Sequence, residues 1–207
     1  MLQSQGMDPQ QAAADLAEVR LRLAGVQRFA GYSGVAAAAS GFLGLCAGWL
    51  QAVLTPHPST PASLNLYLTI WLSTLALALA INYGAVGVWL VRNRGRHALQ
   101  QGRLAAVAIL PAILFGGALT IALADAGLFH LLPGVWYGAY AVGLFASRTL
   151  VPPSVHTAAG AFGVIAVALL LPFAGFALAW WVMPIGFGFG QIAIGACLSR
   201  GRAEGWL

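Results

Sequence analysis

Charged residues are scarce in this sequence. They make up only 7% of its 207 residues, lysine does not occur at all, and 60% of the residues are hydrophobic. A soluble domain averages about 25% charged residues, so this chain has too few charges to cover a water-exposed surface. Uninterrupted apolar runs of about 18 residues or more are typical of membrane spans. The composition therefore predicts an integral membrane protein.

Cysteines and catalytic motifs are scarce as well. The two cysteines, Cys46 and Cys197, fall in apolar runs that we expect in opposite leaflets, which excludes a disulfide between them. The sequence contains no G-x-S-x-G, H-E-x-x-H, P-loop or C-x-x-C pattern, and four of its five acidic residues lie near the ends of the chain. Because no cluster of acid, base or nucleophile is evident, we expect neither an enzyme nor a bound cofactor.

Six apolar runs are present, separated by polar or turn-forming segments. Their approximate limits are 31–54, 66–91, 104–124, 128–147, 155–172 and 175–198. These runs predict an all-α fold, in which residues 31–198 form an integral membrane bundle of six transmembrane helices. Residues 1–30 are expected to form a short cytoplasmic or interfacial amphipathic helix, and residues 199–207 a cytoplasmic tail.

All of the basic residues are arginines, and they fall on one side of the predicted membrane. They are Arg20, Arg22, Arg28, Arg92, Arg94, Arg96, Arg103, Arg148, Arg200 and Arg202. By the positive-inside rule this distribution predicts that both termini lie in the cytoplasm. Arg92, Arg94, Arg96 and Arg103 lie between the second and third spans, where we expect them to fix the topology and contact anionic lipid headgroups. Since topology accounts for every arginine, we do not expect nucleic-acid binding.

Residues 8–30 predict a helix on the cytoplasmic side. Leu16, Val19, Leu23 and Val26 recur at intervals of three and four, which places them on one apolar face. One interpretation is a helix that lies on the inner membrane surface and leads into the first span. The alternative is a docking or dimerising helix, because the same four positions form an a/d seam.

The entry to the first span carries a short pattern, R-F-x-x-x-S-G. Its fixed positions are Arg28, Phe29, Ser33 and Gly34, and a helix with acidic and basic residues runs into it. Residues 18–45, which contain this pattern, resemble the opening of some uncharacterised bacterial multi-pass membrane proteins. The resemblance implies a bacterial inner membrane and brings no known activity with it.

Small residues and helix breakers recur in several spans. They are Ser40, Gly44 and Gly48 in the first span, Pro111, Gly116 and Gly117 in the third, and Pro184, Gly186, Gly188 and Gly190 in the sixth. Small residues spaced by four let helix backbones approach closely, whereas proline and glycine weaken or interrupt a helix. Interruptions in the third and sixth spans would suit an inverted-repeat transporter. Ordinary kinks are the alternative. The tripeptide Tyr-Gly-Ala occurs at 83–85 and again at 137–139, which favours repeated hairpins over an inverted repeat.

Two groups of polar residues are candidates for a site. The outer group is His57, Asp125 and His130, and the inner group is Asn82, His156 and Gln191. The outer group could converge as nitrogen and oxygen ligands of a metal, or supply histidines to haem, or consist of solvated loop residues. The inner group could form a small polar pocket or make separate interhelical hydrogen bonds.

Three functions are compatible with these features. The first is a non-enzymatic accessory or scaffold subunit, or a small membrane regulator, that acts through helix packing with a membrane-protein partner or a second copy. The second is a small-solute transporter or channel that uses the interrupted third and sixth helices. The third is a metal or haem site on the periplasmic face.

Overall fold

A computed structural model describes residues 10–11, 15–16, 29–171 and 175–205, and the regular secondary structure of this part of the chain is all helical, with no strand. Six α-helices follow residue 29. They are α1 (Gly34–Leu54), α2 (Pro61–Arg92), α3 (Arg96–Asp125), α4 (Leu132–Ala146), α5 (Ser154–Leu170) and α6 (Gln191–Ala203). A 3₁₀ turn (Phe129–Leu131) precedes α4, and a π-helical segment (Pro184–Gly190) leads directly into α6.

Three of these helices have the length and apolar composition needed to cross a membrane. They are α1, α2 and the part of α3 from Ala98 to Asp125, and α5 is a shorter apolar helix. The prediction of a helical membrane protein is confirmed at this level. Most of the predicted N-terminal amphipathic helix, including Val19, Leu23 and Val26, lies outside the described residues.

α2 and α3 are longer at their polar ends than their apolar runs predict, whereas the last helix begins later than the predicted residue 175, with the π-helical segment at Pro184 and α6 at Gln191. Thr60 and Ser63 form a capping box, so α2 begins at Pro61, five residues before the predicted 66. At the other end of α2 the arginine segment is mostly helical, and only residues 93–95 connect α2 to α3. Arginine is a good helix former, so a helix that leaves the apolar layer continues through it.

α1 packs antiparallel against the π-helical segment and α6. A Cβ added at Gly41 would lie 2.6 Å from the Gly188 carbonyl oxygen, and one at Gly34 would lie 2.5 Å from the Gly195 carbonyl oxygen. Gly48, near the outer end of α1, contacts the Pro184 ring. The two backbones therefore approach as closely as small residues permit along the whole of α1.

α4 packs antiparallel against both of its neighbours in sequence. On one side a Cβ at Gly116 of α3 would lie 3.2 Å from the Ala139 methyl group. On the other side a Cβ at Gly134 would lie 2.7 Å from Leu170 of α5, and one at Gly163 would lie 3.9 Å from Ala141. α4 thus holds α3 and α5 to the rest of the bundle.

The two longest helices lie at the periphery. In α2 only Tyr67, Ile70 and Trp71 are buried. In α3 a face with Val107, Leu114 and Ile121 is largely exposed, since each of these side chains is more than half accessible. The close-packed core consists of α1, the π-helical segment, α4, α5 and α6.

Candidate functional site

The interruption before α6 is built around the hydroxyl group of Tyr137 on α4. In a regular α-helix the Gly186 N–H would bond to the carbonyl of residue 182. Here the Gly186 N–H donates to the Tyr137 hydroxyl at 2.8 Å, and that hydroxyl donates to the Val182 carbonyl at 2.7 Å. Pro184 has no N–H to donate, which weakens the same turn. A side chain inserted into the hydrogen-bond ladder is a known cause of such a π-helical bulge.

Groups of neighbouring helices occupy the space beside the glycines of the interrupted segment. A Cβ at Gly188 would lie 2.6 Å from Leu45 of α1, and one at Gly190 would lie 3.0 Å from the Phe162 ring of α5. A Cβ at Gly186 would overlap the Tyr137 ring, and Gly44 of α1 contacts the Phe187 carbonyl. These glycines therefore serve close backbone packing, and alanine at Gly186 or Gly188 is not tolerated without a shift.

The predicted interruption of the third span is not found. α3 continues through Pro111 from Arg96 to Asp125. Gly116 packs against Ala139, but a Cβ at Gly117 would meet nothing within 4 Å. Only the last helix is interrupted among the described residues, so the matched pair of breaks expected for an inverted repeat is absent from this part of the chain.

The inner polar residues have separate partners. Asn82 of α2 donates to the Ser40 hydroxyl of α1 at 2.6 Å, which joins these two helices. Gln191 donates to the Tyr140 hydroxyl at 2.7 Å, joining α6 to α4. His156 lies 3.0 Å from the Arg148 carbonyl oxygen across the α4–α5 connection. Asn82 and Gln191 thus make interhelical hydrogen bonds, the alternative to a shared polar pocket.

A buried polar bridge between α1, α2 and the segment before the π-helix was not predicted from the sequence. Gln51 of α1 is completely buried. Its side-chain nitrogen donates to the Leu178 carbonyl at 2.9 Å, and its oxygen accepts from the Trp71 indole N–H at 2.8 Å. An uncharged polar residue inside an apolar run, with a tryptophan in the next span, is the signal that could have revealed it.

The outer histidines line one open pocket. His57 and Ser59 from the α1–α2 connection, His130 from the 3₁₀ turn, and Phe176 and Trp181 from the segment before the π-helix surround about 500 Å³. The Phe176 and Trp181 rings are stacked, with centroids 5.5 Å apart. Asp125 is not among the lining residues, so the structure brings together two of the three predicted ligands.

Two imidazoles facing one pocket offer nitrogen ligands to a transition-metal ion. Among the described residues no group of three or more histidine, cysteine, aspartate or glutamate side chains is placed to hold a metal. A metal bound here would complete its coordination with water, the Ser59 hydroxyl or backbone oxygen.

The arginines predicted to fix the topology lie together at the ends of α2 and α3. Arg92, Arg94, Arg96 and Arg103 are all exposed. Arg202, by contrast, has a packing role: its guanidinium donates to the carbonyl oxygens of Ala30 and Tyr32, at 3.1 and 2.9 Å. The C-terminal end of α6 thereby holds the entry to α1.

Comparisons with family models, with curated proteins and with solved structures found no match for this chain.

Proposed function

We propose that all six helices cross a bacterial inner membrane, with both termini on the cytoplasmic, arginine-bearing side. Two observations support this topology. The helix pairs α1–α6, α3–α4 and α4–α5 are antiparallel, as an alternating path requires. α5 has 17 residues, which at 1.5 Å per residue gives about 25 Å, near the roughly 30 Å of a hydrocarbon core.

Within that membrane, the function we propose is that of a non-enzymatic accessory or scaffold subunit that acts through helix packing. The observation that carries this proposal is the close contact of α1 with the interrupted helix. Gly41 and Gly44 of α1 lie against the backbone of residues 187 and 188. This packing favours a scaffold over a transporter, because a solute path along these glycines would need the space that α1 and Tyr137 occupy.

The exposed face of α3 is the surface through which a scaffold of this shape would act on another membrane protein. Val107, Leu114 and Ile121 recur every seven residues, and their exposed fractions are 62%, 63% and 74%. Lipid covers such a face equally well, so the experiment must distinguish a protein partner from lipid.

The experiment is purification of the full chain at native expression level in mild detergent, followed by quantitative mass spectrometry. We expect one membrane protein in fixed stoichiometry, whose level in the membrane falls when this chain is deleted. Restoring the wild-type chain should restore the partner, and the triple variant Val107→Ser, Leu114→Ser, Ile121→Ser should not. A matched triple variant on the exposed surface of α2, Leu72→Ser, Leu75→Ser, Val88→Ser, serves as the control.

Two results would overturn the scaffold proposal. One is a chain that purifies without any partner in fixed ratio while its deletion leaves the other membrane proteins unchanged. The other is restoration of the partner by the α3 triple variant to the same level as by wild type, provided that both variants accumulate normally.

A second candidate is a transition-metal site at the outer pocket, favoured by the presence of both His57 and His130 in its lining. Its test is calorimetric titration of the purified protein with Zn²⁺ and Cu²⁺. We expect one ion per chain, and loss of that binding in the His57→Ala, His130→Ala variant, with the distant His156→Ala variant unchanged. Equal binding by all three proteins contradicts the candidate. A visible spectrum without a Soret band, measured on native material, removes haem from consideration.

A further inference from the structure

α2 and α3 are consecutive helices that separate instead of packing together. Their connection is only residues 93–95, yet a Cβ at Gly84 or Gly87 of α2 would meet nothing within 4 Å. On α3, a Cβ added at Gly102 would lie 3.2 Å from the Leu90 side chain. The two helices therefore enclose a wedge-shaped space, which we call the α2–α3 groove.

The α2–α3 groove has a volume of about 250 Å³ and is almost entirely apolar. Val86, Gly87 and Leu90 line it on α2, and Ala106 and Ile109 line it on α3. Such a surface suits a hydrocarbon chain, because it offers dispersion contacts and few hydrogen-bonding groups.

The floor of the α2–α3 groove is Phe29, which packs with Trp89 of α2 and Ala105 of α3. Phe29 is completely buried, and its ring makes edge-on contacts with Tyr32 and Trp89, at centroid distances of 4.8 and 5.2 Å. Its backbone N–H donates to the Leu150 carbonyl at 3.2 Å, which fixes it to the α4–α5 connection. Because Phe29 is fixed by its contacts with Tyr32, Trp89 and Leu150, we infer that the α2–α3 groove is a constant feature of the fold.

The cytoplasmic mouth of the α2–α3 groove is strongly basic. Arg92 follows Leu90 by two residues in the last turn of α2, and Arg103 directly follows Gly102 on α3. With Arg94 and Arg96 they make four exposed positive charges, and the sequence has no acidic residue between positions 18 and 125. Basic pockets between helices on the cytoplasmic side bind anionic lipid headgroups, and the arginine fork matches a phosphate.

We propose that the α2–α3 groove binds one anionic phospholipid. Its acyl chain lies in the apolar part of the groove, which we call the slot, and its phosphate lies at the arginines of the mouth. An uncharged lipid would fit the slot and leave the arginines without a counter-charge. A free phosphate would meet the arginines and leave the slot empty. An anionic phospholipid satisfies both parts, which lie next to each other along α2 and α3.

The test offers delipidated full-length protein equal amounts of phosphatidylglycerol and phosphatidylcholine with identical oleoyl chains, and counts retained lipids by native mass spectrometry. We expect one phosphatidylglycerol per chain in preference to phosphatidylcholine. Gly87→Leu and Ala106→Phe fill the slot from opposite walls, so each should reduce phosphatidylglycerol retention to the level of phosphatidylcholine. Arg92→Gln and Arg103→Gln should each weaken it about fivefold.

Matched controls lie outside the α2–α3 groove. Gly117→Leu places the same side chain at an open position in the outer half of α3, and Arg200→Gln removes a cytoplasmic arginine from α6. Both should retain phosphatidylglycerol like wild type. If a slot-filling variant does not fold, as judged by its thermal melt, the exposed arginine variants decide alone.

Four outcomes would overturn the proposal. Equal retention of the two lipids means a slot without headgroup recognition, and unchanged retention in folded slot-filling variants means diffuse attraction to the arginines. Competition by glycerol 3-phosphate as strong as by the lipid means a phosphate site. A dimer that the slot-filling variants dissociate means that a second copy occupies the groove.

Discussion

At the scale of single residues, Tyr137 decides how the last helix is built. Its hydroxyl takes the place of one hydrogen bond of the α-helical ladder, between Gly186 and Val182. Tyr67 makes a natural comparison, because it is equally buried but its hydroxyl has no partner among the described residues. Two equally buried tyrosines thus differ in the hydrogen bonding of their hydroxyl groups.

Replacing each tyrosine by phenylalanine should separate these roles. Tyr137→Phe leaves a buried N–H and a buried carbonyl without their partner, which should lower the free energy of unfolding by about 1–3 kcal/mol. Tyr67→Phe removes a hydroxyl group that is buried without compensation, so it should be neutral or stabilising. The measurement is unfolding by sodium dodecyl sulphate in mixed micelles. A Tyr137→Phe protein as stable as wild type would mean that the helix closes its own ladder there.

Residue-level function was only partly predictable from the sequence. The ridge of Gly44 and Gly48 was recognised from its spacing, and both residues do face the last helix. Ser40 has the same spacing, but its hydroxyl group accepts a hydrogen bond from Asn82 of α2 and donates to the Ala36 carbonyl of its own helix. Gln51 was missed, since a single sequence does not indicate which carbonyl and which indole a buried amide will meet.

At the scale of helices, the proline-containing elements show why a sequence pattern predicts a break imperfectly. Pro111 and Pro184 both remove one backbone donor, but α3 continues and the last helix changes its hydrogen-bond pattern. At Pro184 the Tyr137 hydroxyl of another helix takes the place of one backbone hydrogen bond, between Gly186 and Val182. Neighbouring groups can satisfy the freed backbone in a membrane, so proline is tolerated there.

The packing of α3 on α4 can be tested with two adjacent glycines. Gly116 lies against Ala139, whereas Gly117 faces open space. Gly116→Leu should destabilise the protein by about 1–3 kcal/mol through overpacking. Gly117→Leu should be neutral or stabilising, since leucine is the better helix former by somewhat less than about 1 kcal/mol. Comparable unfolding curves for the two variants would show that α3 is not held through this face.

At the scale of the whole molecule, the distribution of arginine and the order of the helices make one consistent arrangement. Each connection that carries arginine lies at the end of the bundle where α1 begins and α6 ends. The apolar runs predict six membrane spans, and three of the six α-helices after residue 29 have the length and apolar composition to cross a membrane. The runs did not predict helix ends, because capping by Thr60 and helix formation by arginine act outside the apolar layer.

The proposed topology can be tested by thiol labelling of a variant in which Cys46 and Cys197, both free, are replaced by alanine. Single cysteines are then introduced at six connections and ends. The outer set is Ser59→Cys, Gly127→Cys and Gly175→Cys, and the inner set is Asn93→Cys, Thr149→Cys and Glu204→Cys. All six positions are exposed, so an impermeant maleimide reports only sidedness. In inner-membrane spheroplasts we expect the outer set to react at once and the inner set to react only after permeabilisation. Equal reaction of positions 127 and 149 from outside would mean that α4 does not cross the membrane, and the arginine argument would then fail for the second half of the chain.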